Sequence, residues 1–353
     1  AHGKLGALFP GQGSQYAGML RDLACQFPGM MDALTDADAV FASDPSRIGT
    51  QRLSDFIYPH PAFSDEAHLH QEEALKATQV AQPALGAVSM GALSVLAHFG
   101  VVADAACGHS YGELLALCCA GRITPDALHQ LSNLRGRLMA GGNGDRGAML
   151  AVQADEAAVL EFLREEKNDL VIANRNSPQQ IVLAGPTEQI KYAASELSRR
   201  SIRSRVLQVS AAFHSVLVAD AQAPFAAALG AVAFAQGRMP VYANSTGAEY
   251  PRTDSEARDL LAHQIVRPVN FMQQIQVMYA DGVRTFVEIG PGHVLSDLVQ
   301  SILPGEVESI ALDASKGARS GSFDLALALA RLASLGHEVD LAKWEHAPAA
   351  AEV

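Results

Sequence analysis

The order of apolar and polar positions divides the chain into three stretches. Residues 5–9, LGALF, are a short continuous apolar run that predicts a buried strand, and the glycine-rich PGQGSQ at 10–15 predicts the turn after it. A helical, partly polar region follows to about residue 77. The long apolar segment at 83–102 is interrupted by Ser89, Ser94 and His98 and reads as a core helix, not a membrane span. A strand-like VVADAAC then enters CGHSYGELLAL at 107–117, and ELLALCCAGR leaves it as a helix.

From 148 to 210 the period changes. AMLAVQA predicts a strand, and DEAAVLEFLREE predicts an amphipathic helix opened by Asp155. LVIANRNSPQQIVLAG predicts two strands around a turn at Asn176-Ser177-Pro178. TEQIKYAASELSRR predicts a second helix with Thr187 as its cap, and SRVLQV a closing strand. The order βαββαβ is that of a ferredoxin-like unit. Beyond residue 214 the pattern predicts a helix over VLVADAQAPFAAALG, a strand at PVYAN and a helix around 256–281. A strand at TFVEIG and helices in PGHVLSDLVQSIL and FDLALALARLASLG complete it. The expected architecture is α/β, with an α/β-hydrolase-like large subdomain over 1–147 and 211–345. A ferredoxin-like small subdomain is inserted at 148–210, and 346–353 form a linker or tail.

Composition narrows the class. At 353 residues the chain holds about two domain lengths. With 49% hydrophobic and 18% charged residues it can bury a large core. A net charge of −12 argues against nucleic acid as a partner. Cys25, Cys107, Cys118 and Cys119 show no metal-ligand spacing, and this thiol usage fits a reducing compartment. The N-terminal stretch lacks the apolar h-region of a signal peptide, so the expected location is cytoplasmic, with no membrane partner.

Gly-His-Ser-Tyr-Gly between a strand and a helix places Ser110 on a sharp turn. The serine is either a nucleophile or a loop residue between glycines that permit the turn. As a nucleophile it needs a base within hydrogen-bond reach and N–H donors aimed at the developing oxyanion. Tyr111, opening the helix, offers one donor, and the PGQGSQ turn offers a second. Among the 12 histidines, His109 should diverge from its neighbour Ser110, and His214 stands at a subdomain junction, where clefts form. Arg135 falls inside the helical stripe Leu128, Leu131, Leu134, Leu138 and Met139, while Arg137 points away. A buried arginine serves either a core carboxylate or a substrate carboxylate, and spacing leaves both open.

FPGQGSQ, GHSYGE, NLRGRLM, AFHS and VEIGPG, in this order, resemble the acyl-CoA:acyl-carrier-protein acyltransferases. These are the malonyl transacylases of fatty acid synthesis and the acyltransferase domains of polyketide synthases. The resemblance implies that Ser110 is acylated, that His214 is its base, and that a backbone carbonyl of Gln264 orients the histidine. It implies an oxyanion hole from the N–H groups of Gln12 and Tyr111, and a malonyl carboxylate on Arg135. Gln82, His109 and Asn176 match positions near the cleft. Phe213 in AAFH resembles malonyl-selective domains, with Ala211 where those carry histidine, and its bulk would crowd an α-methyl branch. Tyr111 after the serine is similar to the iterative synthases of enediyne antibiotic biosynthesis. The implied reaction is ping-pong transfer from malonyl-CoA to Ser110 and on to the phosphopantetheine thiol of an acyl carrier protein. No bound cofactor or metal is implied, and a ketosynthase domain of the same chain is a further possible partner. The competing readings are a serine thioesterase or esterase of α/β-hydrolase type, with Asp145 or Asp169 as the acid, and a methylmalonyl-selective acyltransferase.

Overall fold

The structure, a computed structural model, describes residues 3–44, 49–142 and 144–344. The predicted tail at 346–353 lies outside the described residues. The strands are β1 (Lys4–Phe9), β2 (Ala105–Gly108), β3 (Ala148–Val152), β4 (Val171–Ser177), β5 (Gln180–Gly185), β6 (Ser204–Val206), β7 (Val241–Tyr242), β8 (Val283–Glu288) and β9 (Glu308–Ala311). They form a five-stranded sheet in the order β7-β2-β1-β8-β9, with every pair parallel, and a four-stranded sheet in the order β4-β5-β3-β6, with every pair antiparallel.

Period-two alternation explains why the parallel sheet is covered on both faces. Leu5, Ala7 and Phe9 of β1 and Ala106 of β2 join one core with the helices Thr78–His98 and Pro125–Ala140. Leu8, Ala105 and Cys107 face the opposite core with Phe271, Ile275 and Val299. Thr78–His98 is long and apolar enough to cross a membrane, but it lies mostly buried in the first core. β1 and β2 both end at the same edge, so the turns after Phe9 and after Gly108 are neighbours, as the His109 N–H to Phe9 carbonyl bond of 3.0 Å shows. That edge carries the site.

The antiparallel sheet has the ferredoxin-like strand order. Leu150, Val152, Ile181 and Leu183 pack under its two helices, Glu156–Glu166 and Thr187–Arg199. The alternate residues Met149, Ala151 and Val182 face the cavity that holds Ser110. The Asp155 carboxylate caps its helix, accepting from Ala158 N–H at 2.8 Å. Thr187 is not the cap predicted for the second helix. It is the first helical residue, and Asp145 accepts both its N–H (2.9 Å) and its hydroxyl (2.6 Å).

Two predicted helices are broken. VLVADAQAPFAAALG splits into a 3₁₀ turn, Val216–Ala221, and a helix, Gln222–Ala231. The helix predicted around 256–281 is two helices, Asp254–Gln264 and Phe271–Ala280. Pro268 lacks the N–H that would continue the ladder and disfavours helical backbone at Arg267. The break leaves helix-end carbonyls unpaired, and the site uses them. It also joins the subdomains: Val269 N–H reaches the Ala173 carbonyl, and Arg175 N–H reaches the Val269 carbonyl, each at 2.8 Å.

Candidate active site

Ser110 stands between β2 and the helix Gly112–Cys119 with φ of 52°, in the left-handed region that a residue with a Cβ rarely occupies. Such a conformation costs about 1–3 kcal/mol and persists only where neighbours enforce it. The flanking glycines are needed for close approach. A Cβ at Gly108 would lie 2.0 Å from the Gly112 carbonyl, and one at Gly112 would lie 2.0 Å from the Phe9 carbonyl oxygen.

The structure brings His214 to the serine. Ser110 Oγ lies 2.8 Å from His214 Nε2. His214 is itself left-handed, with φ of 60°, and is buried. Its Nδ1 lies 3.0 Å from the carbonyl oxygen of Gln264 and 3.0 Å from that of Arg267. Carbonyls only accept, so the proton sits on Nδ1 and Nε2 presents its lone pair to the serine hydroxyl. Burial, with the nearby Arg135 cation, pushes the imidazole down to about 3 and keeps it neutral.

No carboxylate bonds to His214 among the described residues. Asp145 caps a helix of the small subdomain, and Asp169 accepts from Gln189 at 3.2 Å. The Ser-acid-His order of an α/β-hydrolase is therefore not built here. The Gln12 and Tyr111 N–H groups have no hydrogen-bond partner among the described residues, and Gln12 lies on the cavity wall. The Gln12 side chain donates to Thr78 Oγ1 at 3.0 Å.

Arg135 is 1% exposed and sits behind the dyad, not on the cavity wall. It donates to Gln264 Oε1 at 3.1 Å and makes no ion pair among the described residues. Burial lowers its guanidinium below its usual range, to about 10. Gln264 is thus a junction. Its backbone carbonyl accepts from His214, its Oε1 accepts from Arg135, and its Nε2 donates to the Ser110 carbonyl at 2.6 Å.

The cavity, of about 280 Å³, lies between the two sheets. Ser110, His214, Phe213 and Gln12 line it from the large subdomain, with Asn176 and Met149 opposite. His109 also lines it and bonds to Asn176 Oδ1 at 2.8 Å, a side-chain bridge from the elbow to the small sheet. Gln82 is the exception among the predicted cleft residues. It is buried in the helix Thr78–His98 and lies against Met139, 3.7 Å from its sulfur, away from the cavity. An amide beside Pro83 in a largely apolar helix gives no sign of which face it takes. The Tyr111 ring points into the core, where its hydroxyl lies 2.7 Å from Ser132 Oγ and above Gly86.

Sequence reasoning missed two contributors. Arg267 acts through its carbonyl, a role that side-chain chemistry cannot flag. Asn244, fully buried after β7, bonds to the elbow at both Gly108 and Ser110. Its only signal is an asparagine closely following a strand.

The family model described as acyl transferase domain matches residues 8–317. The chain is 34% identical over 307 residues to malonyl CoA-acyl carrier protein transacylase of Bacillus subtilis, covering 85% of this chain and 90% of that one. It is 31% identical over 310 residues to a polyunsaturated fatty acid synthase polypeptide of Thraustochytrium sp., covering 85% of this chain and only 11% of that much longer protein. The solved acyltransferase domain from the second module of the salinomycin polyketide synthase superposes with a TM-score of 0.84 at 30% identity, over 97% of this chain and 76% of that one. A serine–histidine dyad without a carboxylate, set between a parallel and a ferredoxin-like sheet, agrees with this match, and the chain belongs to the acyl transferase domain family.

Proposed function

We propose that the chain transfers a malonyl group from malonyl-CoA to the phosphopantetheine thiol of an acyl carrier protein through Ser110. The observation that carries this reading is a buried arginine that makes no ion pair among the described residues, behind a serine–histidine dyad. A cation held at 1% exposure needs an anion, and a malonyl thioester brings one at the end remote from the reacting carbonyl. The malonyl transacylase of Bacillus subtilis supports the substrate and the carrier protein by its name.

In the first half-reaction His214 Nε2 takes the Ser110 hydroxyl proton, and Oγ bonds to the thioester carbonyl carbon. The N–H groups of Gln12 and Tyr111 stabilise the oxyanion. The carbon–sulfur bond then breaks, His214 returns its proton to the departing thiolate, and malonyl-O-Ser110 remains. In the second half-reaction the carrier thiol gives its proton to His214 and attacks the ester, and Ser110 leaves with that proton. Arg135 aligns the acyl group by its carboxylate, which favours a guided thiol over water.

Phe213 on the cavity wall supports malonyl over a branched extender. The narrower placement among enediyne-type iterative synthases rests on Tyr111 alone. A ketosynthase partner rests on the synthase relatives, whose length the chain covers only in part. The test is to incubate the chain with malonyl-CoA and a phosphopantetheinylated carrier protein and weigh the carrier. A malonyl mass gain supports the reading. Release of free malonate without a gain makes the protein a thioesterase.

A further inference from the structure

Asn244 holds the nucleophile's backbone from below. Its Oδ1 accepts the Ser110 N–H at 2.6 Å, and its Nδ2 donates to the Gly108 carbonyl at 2.7 Å. One amide therefore ties the last residue of β2 to the left-handed serine two residues on. Asn244 is itself fixed at both peptide groups. Its N–H points to the Glu113 carboxylate at 3.4 Å, and its carbonyl accepts from Asn270 N–H at 2.8 Å. Glu113 is fully buried in the first turn of the helix after the elbow, and the Tyr250 hydroxyl donates to it.

We propose that Asn244 is a positioning residue that locks Ser110 in its left-handed conformation, with the Glu113–Tyr250 pair bracing Asn244 from behind. The inference rests on Ser110 being the acylated residue. The geometry gives the amide a task that packing alone does not need. Ser110 N–H is consumed by Oδ1, so it cannot compete as an oxyanion donor, and the next N–H, that of Tyr111, is left free. Without the amide, Ser110 N–H and the Gly108 carbonyl both lose their partners in a buried turn. The serine then relaxes from φ of 52°, and Oγ moves off the line to His214 Nε2.

The test uses Asn244→Ala and Asn244→Asp in the full chain, with single-turnover malonylation of Ser110 followed against malonyl-CoA concentration. For Asn244→Ala the rate constant at saturation should fall about 100-fold, as for a catalytic group displaced by about 1 Å, with half-saturation unchanged. Asn244→Asp keeps the acceptor for Ser110 N–H but can donate to the Gly108 carbonyl only when protonated. Glu113 faces it from the helix, with Tyr250 beside that carboxyl, and His214 lies across Ser110. Its loading rate should therefore fall as pH rises from 5 to 8, relative to the native chain at each pH. An Asn244→Ala rate within about 3-fold of native, or a loss confined to half-saturation, overturns the proposal. An Asn244→Asp profile parallel to the native one does the same, and this isostere carries the test if Asn244→Ala does not fold. The native chain's own adduct on Ser110 tests the serine chemistry separately.

Discussion

Replacing Arg135 with methionine should separate substrate binding from folding. The guanidinium is buried with one neutral acceptor, Gln264 Oε1, and no ion pair among the described residues. Burial holds it below the usual guanidinium range, at about 10, with only partial compensation from the nearby Glu113. Exchanging a buried charge that makes no ion pair for an apolar side chain of similar length is often neutral or stabilising. The melting temperature of Arg135→Met should therefore hold or rise. Loading should behave in the opposite way. A malonyl carboxylate left facing methionine loses a buried charge pair, worth about 2–5 kcal/mol, or roughly 30- to several-thousand-fold in rate. The assay is single-turnover loading from malonyl-CoA and from acetyl-CoA, quenched and read by intact mass. Acetyl loading is the internal control, because Arg135→Met also frees Gln264 Oε1 beside the His214 acceptor. The malonyl-to-acetyl ratio should collapse. A parallel fall of both, or a large loss of melting temperature, would refute the carboxylate clamp.

Three further outcomes follow from the same geometry. Folded His214 titrates near 3 and the unfolded imidazole near 6.5, so the unfolded chain binds more protons between them, and this group's stabilisation is lost as pH falls below about 6.5. Glu113 and Glu288, both raised to about 7 by burial, act in the opposite sense, so the readout is a difference. In chemical denaturation at pH 7 and pH 5, His214→Gln should lose less stability on acidification than the native chain, by up to about 1.4 kcal/mol per pH unit, and identical slopes would contradict this. Gly86→Ala places a methyl 2.5 Å from the Tyr111 hydroxyl and should destabilise by about 1–3 kcal/mol, with most of that recovered in the double variant carrying Tyr111→Phe. An additive pair would deny the clash. Phe213→Ser on the cavity wall should raise the methylmalonyl-to-malonyl ratio of kcat/KM by about 10-fold or more, and an unchanged ratio would remove Phe213 as the filter.

The candidate site residues with reactive side chains are legible in the sequence, because reactivity and spacing are written in residue type. Ser110 announces itself by its flanking glycines and by a strand passing into a helix. Arg135 announces itself as a charge within an apolar stripe, and the structure buries it there beside Leu131 and Met139. The small subdomain is legible because each strand alternates between a face packed on helices and a face on the cavity. What escapes depends on backbone geometry. The periodicity of 256–281 reads as one helix, since the apolar stripe continues across Pro268, yet the break there supplies the carbonyls that orient His214. Strand β9, Glu308–Ala311, escapes because four residues between a turn and a loop carry too short a pattern. Gln82 does not line the cavity, because a matching position does not fix the face of a helix. For Tyr111 the sequence points mainly to its N–H, and the structure shows what its side chain does. Gly86 and Ser132 leave room for its hydroxyl in the core.

The central claim is that Ser110, with His214 as its base, carries the acyl group between two thiols. Its most direct test is the mass of the Ser110 peptide after brief exposure to malonyl-CoA without any acceptor. The native chain should show a stoichiometric malonyl ester on Ser110 that persists for minutes and disappears on adding a phosphopantetheinylated carrier protein, and Ser110→Ala should show none. An adduct that forms equally in Ser110→Ala, or one that water removes as fast as the carrier protein does, would contradict it.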